Sequence, residues 1–403
     1  MNEANKSPGA LNNITVLDLS RVLCGPYCTM IFADMGANVI KIENPSGGDD
    51  TRAFGPFRNN SSVYFANLNR NKKSVTLNLK DPEAKEIFKE MVKEADVVIE
   101  NYRPGVMDKL GLGYGVLKEL NEQIVFASAS GFGQYGPYAQ RPGYDILAQA
   151  MGGMMSINGQ PGDPPTRVGA AMGDILGGMT IAIGVLAALN ARAVIGRGQQ
   201  VDVALTDTVS FGIFAEIMRY LESGVVPERI GNRYAALAPY DAFKAKDGEF
   251  IIACGNQKLY ETLCEKVLRR PELITDERFD TTPKRAKNHA ALKPCVEAWT
   301  QTVTVAEGVA AVMAAGIPAG PINDARTLTQ DEHIAKAREM YLAHEHPEIG
   351  KMTIIGNPIK LMETKPGIRT PAPLLGQHNE EVYGQFLGFS REKINDLHTR
   401  GVI

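Results

Sequence analysis

The sequence predicts an α/β fold with a doubly wound, mostly parallel sheet, and three observations lead there. Short β-branched runs alternate with helix-like stretches through roughly the first 130 residues. The strand–helix–strand spacing that begins near Ile14 is that of a βαβ unit, which implies parallel pairing and a right-handed crossover. Gly, Pro or Asp marks most changes of texture. With 403 residues the chain is long for a single core, so two domains are expected.

Ile14-Thr-Val-Leu-Asp-Leu-Ser20 reads as the first strand. Gly25-Pro26 opens a helix through Tyr27 to about Met35, since proline suits a first helical turn, and Gly36 stops it. Asn38-Val-Ile-Lys-Ile-Glu43 is the second strand and Lys73-Ser-Val-Thr-Leu-Asn78 the third. Asp81 caps a helix over residues 82–95, Asp96-Val-Val-Ile-Glu100 is a strand, and residues 105–120 are helix-like. Strands follow at Ile124-Val-Phe-Ala-Ser128 and Gly198-Gln-Gln-Val-Asp-Val-Ala-Leu205, then a helix near residues 208–222. Past Ser223-Gly224 a hairpin over residues 242–254, turning at Asp247-Gly248, and charged helices at 259–269 and 290–301 suggest a smaller domain ending near residue 328. Met352-Thr-Ile-Ile355 returns to strand character, and two short helices close the chain, the last capped by Ser390 and stopped by Gly401.

Composition narrows the function classes. Hydrophobic content of 44% and charged content of 22% are those of a soluble globular protein. A net charge of −3 gives no reason to expect nucleic acid or an anionic membrane as partner. The stretch Met1-Asn-Glu-Ala-Asn-Lys-Ser-Pro8 has no apolar region, so no signal peptide is expected. The apolar run 175–189 holds three glycines, is too short to span a bilayer and reads as a buried helix. Five cysteines in no metal or disulfide spacing fit a reducing cytoplasm, with Cys24 and Cys28 as small buried residues on one helix face. His344-Glu-His346 falls short of a metal-ligand set and reads as a surface loop; no metal site is expected.

In such a sheet ligands bind beyond the carboxyl ends of the strands, here Ser20-Arg21-Val22, Glu43-Asn44, Asn101-Tyr102-Arg103 and Ser130-Gly131. No G-x-G-x-x-G follows the first strand, which argues against a dinucleotide. Arg21, Arg70, Lys72, Lys73, Arg103 and Arg141 gather near these ends; each alone reads as a surface charge, but together they suit a phosphate-rich ligand. Ser130-Gly-Phe-Gly-Gln-Tyr-Gly-Pro137 reads as a binding loop. Asp174, in Arg167-Val-Gly-Ala-Ala-Met-Gly-Asp-Ile-Leu-Gly-Gly178, reads first as a helix cap. The alternative is an accessible, ionised carboxylate able to act as a nucleophile, with Gly173, Gly177 and Gly178 leaving room for a bulky ligand.

Several stretches, in order over nearly the whole chain, resemble the family III CoA-transferases, the formyl-CoA:oxalate and carnitine CoA-transferase group. They are Leu17-Asp-Leu-Ser-Arg-Val-Leu-Cys-Gly-Pro26, Gly36-Ala-Asn-Val-Ile-Lys-Ile-Glu43, Asn69-Arg-Asn-Lys-Lys-Ser74, Glu100-Asn-Tyr-Arg-Pro-Gly105 and Arg141-Pro-Gly-Tyr-Asp-Ile-Leu-Ala-Gln149. Gly173-Asp174, Gly198-Gln-Gln-Val-Asp202, Gly316-Ile-Pro-Ala-Gly-Pro321 and Pro373-Leu-Leu-Gly-Gln-His378 complete the set. The resemblance implies a Rossmann-like large domain from both chain ends (1–225 and 329–403), a smaller α+β domain (226–328), and an obligate, interlocked homodimer. It implies a coenzyme A thioester as substrate, with no permanently bound cofactor, and a free carboxylic acid as the other substrate. The family nucleophile matches Asp174, which reverses the cap reading, and it would pass through an aspartyl anhydride and an aspartyl-CoA thioester. By motif position Val22, Leu23, Cys24, Lys72, Asn101, Tyr102, Arg103 and Lys109 would line the CoA site, and Tyr144, Gly143 and Gly173 the acyl pocket.

The oxalate enzyme's tetraglycine loop is missing, with Cys254-Gly-Asn-Gln257 near its place, which counts against oxalate and leaves short-chain or dicarboxylic acids such as succinate as the expectation. The related α-methylacyl-CoA racemases carry histidine where Tyr144 stands; a free phenol titrates near ~10 against ~6.5 for imidazole, a poor exchange partner at neutral pH. A CoA-ester-binding protein without catalysis is the third reading.

Overall fold

The computed structural model describes residues 9–403; the N-terminal stretch read for a signal peptide lies outside them. Six parallel strands form the central sheet: β1 (Thr15–Asp18), β2 (Asn38–Glu43), β3 (Lys73–Thr76), β4 (Val97–Glu100), β5 (Val125–Ser130) and β6 (Gln200–Ala204). Their spatial order is β3-β2-β1-β4-β5-β6, the order of the dinucleotide-binding folds. β1, β4 and β5 are buried along almost their whole length because helices cover both faces, so they read as continuous apolar runs.

One face carries α1 (Cys24–Asp34) and α6 (Met172–Ile195), with Cys28, Phe32, Val97, Ala127, Ile181 and Val185 in its core. The other carries α2 (Pro82–Lys93), capped by Asp81 as expected, with α3 (Val106–Leu110) and α4 (Tyr114–Leu120). The helix-like stretch 105–120 holds two helices, because Gly111 at φ +73° ends the first in the left-handed region. The helix expected near residues 208–222 is likewise two, α7 (Leu205–Gly212) and α8 (Phe214–Ser223), broken where Ile213 leaves helical geometry and turns inward.

The chain's end returns to this sheet. Val382, Tyr383, Ile394, Leu397, Val402 and Ile403 share a core with Leu17, Val75, Ile87 and Phe88. The Tyr383 hydroxyl donates to Thr76 O at 2.7 Å, and the His378 N–H donates to Ser74 O at 2.9 Å, pinning the C-terminal segment to strand β3. His344 and His346 lie on a strand, not in a loop. Tyr341–His346 pairs antiparallel with Gly350–Ile355, and His346 is buried with Nε2 3.1 Å from Ala372 O.

Residues 9–154, 167–223 and 332–403 belong to this unit; residues 155–166 and 224–331 form a second. In the second, Tyr240–Lys244, Glu249–Ala253 and Ala319–Pro321 make an antiparallel three-stranded sheet. It packs on helices that include His289–Thr300 and Val305–Ala314, around Phe243, Phe250, Tyr260, Leu263 and Val296. Residues 155–166 join it because Arg229 donates to the carbonyls of Ser156 and Asp163.

Helix α6 corrects the reading of residues 175–189. It is 24 residues long, apolar enough by length and composition to cross a membrane, and only half-buried. Its inner face packs on α1, while Met179, Ile183 and Leu186 face outward. Gly177 and Gly178 serve that packing rather than ligand approach: a Cβ on Gly178 would lie 2.6 Å from Cys24 O, and one on Gly177 would lie 2.6 Å from Leu205 Cδ2.

Candidate active site

From the neighbouring strands β1 and β4 the chain proceeds in opposite directions across the sheet, so the loops at their carboxyl ends part and leave a crevice. A cavity of about 220 Å³ lies there, walled by Arg21, Val22, Leu23 and Cys24 after β1, by Asn101, Tyr102 and Arg103 after β4, and by Ser130 and Gly131 after β5. Arg141 to Asp145, Asp174 and Leu205 close it.

The loop after β1 makes without glycine a turn that glycine usually makes. Val22 sits at φ +69°, a region that costs a β-branched residue on the order of 1–3 kcal/mol. Two anchors hold it there. The Val22 N–H donates to Asp49 Oδ1 at 3.2 Å. The Asn101 amide bridges to the Arg21 backbone, accepting from its N–H at 2.9 Å and donating to its carbonyl at 2.7 Å. Asn101 thus lines the cavity with its amide committed to tying the two loops together.

Under this loop lies a buried charge network. Lys41 Nζ is 2.8 Å from Asp49 Oδ2 and donates to Ser20 O at 2.8 Å; Lys72 Nζ is 3.2 Å from Asp18 Oδ2. Asp18 also accepts from Thr29 at 2.6 Å and from the Ser20 hydroxyl. Burial pushes the Asp18 and Asp49 carboxyls up, but Lys72 and Lys41 outweigh it for Asp18, and Lys41 with Thr51 holds Asp49 near about 2. Lys72 is pulled down to about 8 by burial, with Asp18 resisting. It is therefore part of the foundation and does not line the cavity.

The other basic residues sort in the same way. Arg70 is buried in a two-point pair with Asp34, at 2.7 and 3.0 Å, and Lys73 meets Glu381 at 2.9 Å. Lys109 is exposed on α3, outside the cavity lining. Arg21, Arg103 and Arg141 remain at the wall; Arg21 faces Asp50 at 3.1 Å, and Arg141 stacks on Tyr138 with its guanidinium 3.7 Å from the ring centre.

Asp174 is the third residue of α6. The N-cap is Ala171, with no side-chain cap bond, so the geometry gives Asp174 no capping role. Among the described residues its carboxylate has no hydrogen-bond or ion-pair partner. Burial, with the Asp145 charge adding to it, pushes it up to about 6. At neutral pH such a group is still mostly ionised, yet poorly solvated and facing a cavity, the condition in which a carboxylate can attack an electrophilic carbon. Cys24 beside it is a buried thiol that burial, and then Asp174, push well above the usual range. Gly143 and Tyr144 line the cavity, with Tyr144 73% exposed at its rim. Gly173 is buried just behind the wall, its N–H donating to Asp145 Oδ1 at 2.7 Å, so that amide is not free to stabilise an oxyanion.

The sequence reading missed Asp145, Asp49 and the buried Asp18–Lys72 and Lys41–Asp49 pairs. A signal existed: Asp18 and Lys41 interrupt apolar strands, and a strand covered on both faces has no wet side, so a charge in it must be paired.

Comparison with known proteins agrees with the resemblance. The model of CoA-transferase family III matches residues 11–379. The acetyl-CoA:oxalate CoA-transferase of Acetobacter aceti is 41% identical, over 94% of this chain and 97% of that protein. The succinyl-CoA:glutarate CoA-transferase of Mus musculus is 36% identical, over 98% of this chain and 90% of that protein. The crystal structure of a CAIB/BAIF family protein from Brucella suis superposes with a TM-score of 0.81 at 38% identity, covering 94% of this chain and 99% of the other. The chain belongs to family III of the CoA-transferases and is an enzyme of that kind.

Proposed function

We propose that the enzyme moves CoA from an acyl-CoA to a free carboxylic acid through covalent intermediates on Asp174. The observation that carries this is the unpaired, half-desolvated carboxylate of Asp174 at the wall of the crevice between β1 and β4. Asp174 attacks the thioester carbonyl, the C–S bond breaks, and CoA leaves as thiolate, giving an aspartyl–acyl anhydride. The thiolate attacks the aspartyl carbonyl, the donor acid leaves as carboxylate, and an aspartyl-CoA thioester remains. The acceptor carboxylate attacks that thioester and releases the thiolate, forming a second anhydride. Thiolate attack on the acceptor's carbonyl regenerates Asp174. The thioester bond's energy is conserved, so the stoichiometry needs no ATP. Water must be kept from the anhydrides, which a small walled crevice favours.

Val22, Leu23, Cys24, Asn101, Tyr102 and Arg103 fit a role against the thioester and its pantetheine arm, and Tyr144 with Gly143 fits one against the acyl group. The acids named in the two relatives above, oxalate and glutarate, are dicarboxylates, and succinyl-CoA is the named donor of one. We take dicarboxylic acids such as succinate as the substrates, with oxalate kept in the test panel because its relative shares 41% identity. The apolar hollow lined by Phe211 (82% exposed), Phe214, Ile217, Met218 and Leu221 (75%) on α7 and α8 suits burial in a homodimer, since monomers rarely leave such a contiguous apolar patch wet. We place the enzyme in the cytoplasm.

Hydroxylamine added during turnover should trap the activated aspartate as a hydroxamate at position 174, read by peptide mass spectrometry. Turnover with the adduct elsewhere, or with none, would sink the covalent mechanism. A panel of CoA donors against carboxylate acceptors identifies the acids.

A further inference from the structure

We propose that Gln149, acting through Asp145, is the positioning residue that fixes the approach to Asp174. This rests on the reading of Asp174 as the nucleophile. Residues 167–171 form no helix or strand, yet they set where α6 begins. Gln149 and Asp145 stand four apart on α5 (Asp145–Met151), on one face of it. Gln149 is fully buried. Its Nε2 donates to Asp145 Oδ2 at 2.9 Å and to Ala170 O at 3.1 Å, and its Oε1 accepts from the Val168 N–H at 2.9 Å. Asp145 in turn accepts from the Gly173 N–H at 2.7 Å with its other oxygen.

One amide thus holds the entering segment at two points, and the carboxylate it orients holds a third point next to Asp174. The task demands an amide. Two donors and an acceptor are used at once, which glutamate cannot supply when ionised and leucine cannot supply at all, while asparagine is one methylene short. Asp145 is also the charge closest in effect to Asp174, so its orientation bears on the nucleophile as well as on the backbone. The ionisable groups that face this cluster are Asp174 on α6, Arg167 (4.0 Å from Asp145) on the entering segment, Cys24 on α1 and the more distant Tyr64.

The test measures exchange of isotope-labelled succinate into succinyl-CoA by Gln149→Leu, Gln149→Glu and Asp174→Asn. Gln149→Leu keeps the volume and loses all three bonds; kcat should fall on the order of 10–100-fold, as expected for a nucleophile displaced by about 1 Å, with KM for succinyl-CoA nearly unchanged. Gln149→Glu faces Asp145 with a second carboxylate, but when protonated it regains one donor. Its kcat relative to wild type should therefore rise as pH is lowered, while the ratio for Gln149→Leu stays flat. Wild-type kcat in Gln149→Leu, or a loss carried by KM, overturns the proposal. Should Gln149→Leu not fold, the pH ratio of Gln149→Glu decides alone, rising in support and flat in refutation. Inactive Asp174→Asn beside Gln149 variants of wild-type behaviour removes the positioning role and leaves the nucleophile standing. Exchange by Asp174→Asn removes both.

Discussion

Replacing Asp174 with asparagine keeps the side chain's shape and removes its charge, so it should separate stability from activity. The carboxyl is pushed up from an ordinary 3.8 to about 6, chiefly by burial. At ~1.4 kcal/mol per pH unit, ionising it in the folded protein therefore costs up to about 3 kcal/mol of stability. The sign follows from proton binding. Between about pH 4 and about pH 6 the folded state holds the proton that the unfolded state has lost, so unfolding free energy falls as pH rises through this window and stays low above it. Below about pH 4 both states are protonated and the cost vanishes. Asp174→Asn should thus be more stable than wild type by about 1–3 kcal/mol near pH 8, nearly equal to it near pH 4, and inactive in CoA transfer throughout. Urea unfolding at three pH values reads this out, at one fixed protein concentration because self-association would shift the midpoints. A gain that does not vary with pH, or a wild type that is the more stable protein near pH 8, refutes the claim that burial strains this carboxylate.

Three further outcomes are expected. The profile of kcat/KM for an acyl-CoA should fall with a single proton below about pH 6, the range to which Asp174 is pushed; an acid limb near pH 4 would place the essential base elsewhere. Gly178→Ala should lower Tm despite alanine's better helix propensity, because its Cβ would meet Cys24 O at 2.6 Å and overpacking costs roughly 1–3 kcal/mol; an unchanged or raised Tm would show that α1 and α6 can part without penalty. Phe211→Asp should shift sedimentation from dimer toward monomer, since it puts a charge on the most exposed ring of the apolar face; a wild type that sediments as a monomer would remove the dimer altogether.

What could be read from the chain, and what could not, divides by range. Strands β1 to β6 announce themselves because each is a short β-branched run between turn residues, and the crevice follows from their order. Asp174 is singled out by its Gly-Asp motif, but its burial is not readable, because it shares a cavity wall with Cys24 and Leu205, which are remote in sequence. Lys72 shows the opposite failure: a lysine in a basic cluster reads as a phosphate ligand until the fold sets it 3.2 Å from Asp18. The single helix read at 208–222 fails locally, since helical periodicity runs straight through Ile213 and only backbone geometry shows the break there, as it does at Gly111 within the helix-like stretch 105–120.

The treatment of carboxylates around the crevice is what distinguishes Asp174 from its neighbours. Asp18, Glu43 and Asp49 are as buried or more so, yet each is met by a lysine or arginine and by hydroxyl or amide donors, and each is held below its usual range against the pull of burial. The same few residues therefore show that this fold can satisfy a buried carboxylate when the stability of a loop depends on it. Around Asp174 it does not: the nearest strong influence is another acid, Asp145, whose own oxygens are occupied by Gly173 and Gln149. If Asp174 is the nucleophile, as proposed, a partner there would stabilise the resting enzyme and blunt its attack, because an acceptor engaged by donors must give them up to react. The paired acids hold the β1 loop in its strained turn, and in the proposed mechanism the unpaired Asp174 keeps its lone pairs for the substrate.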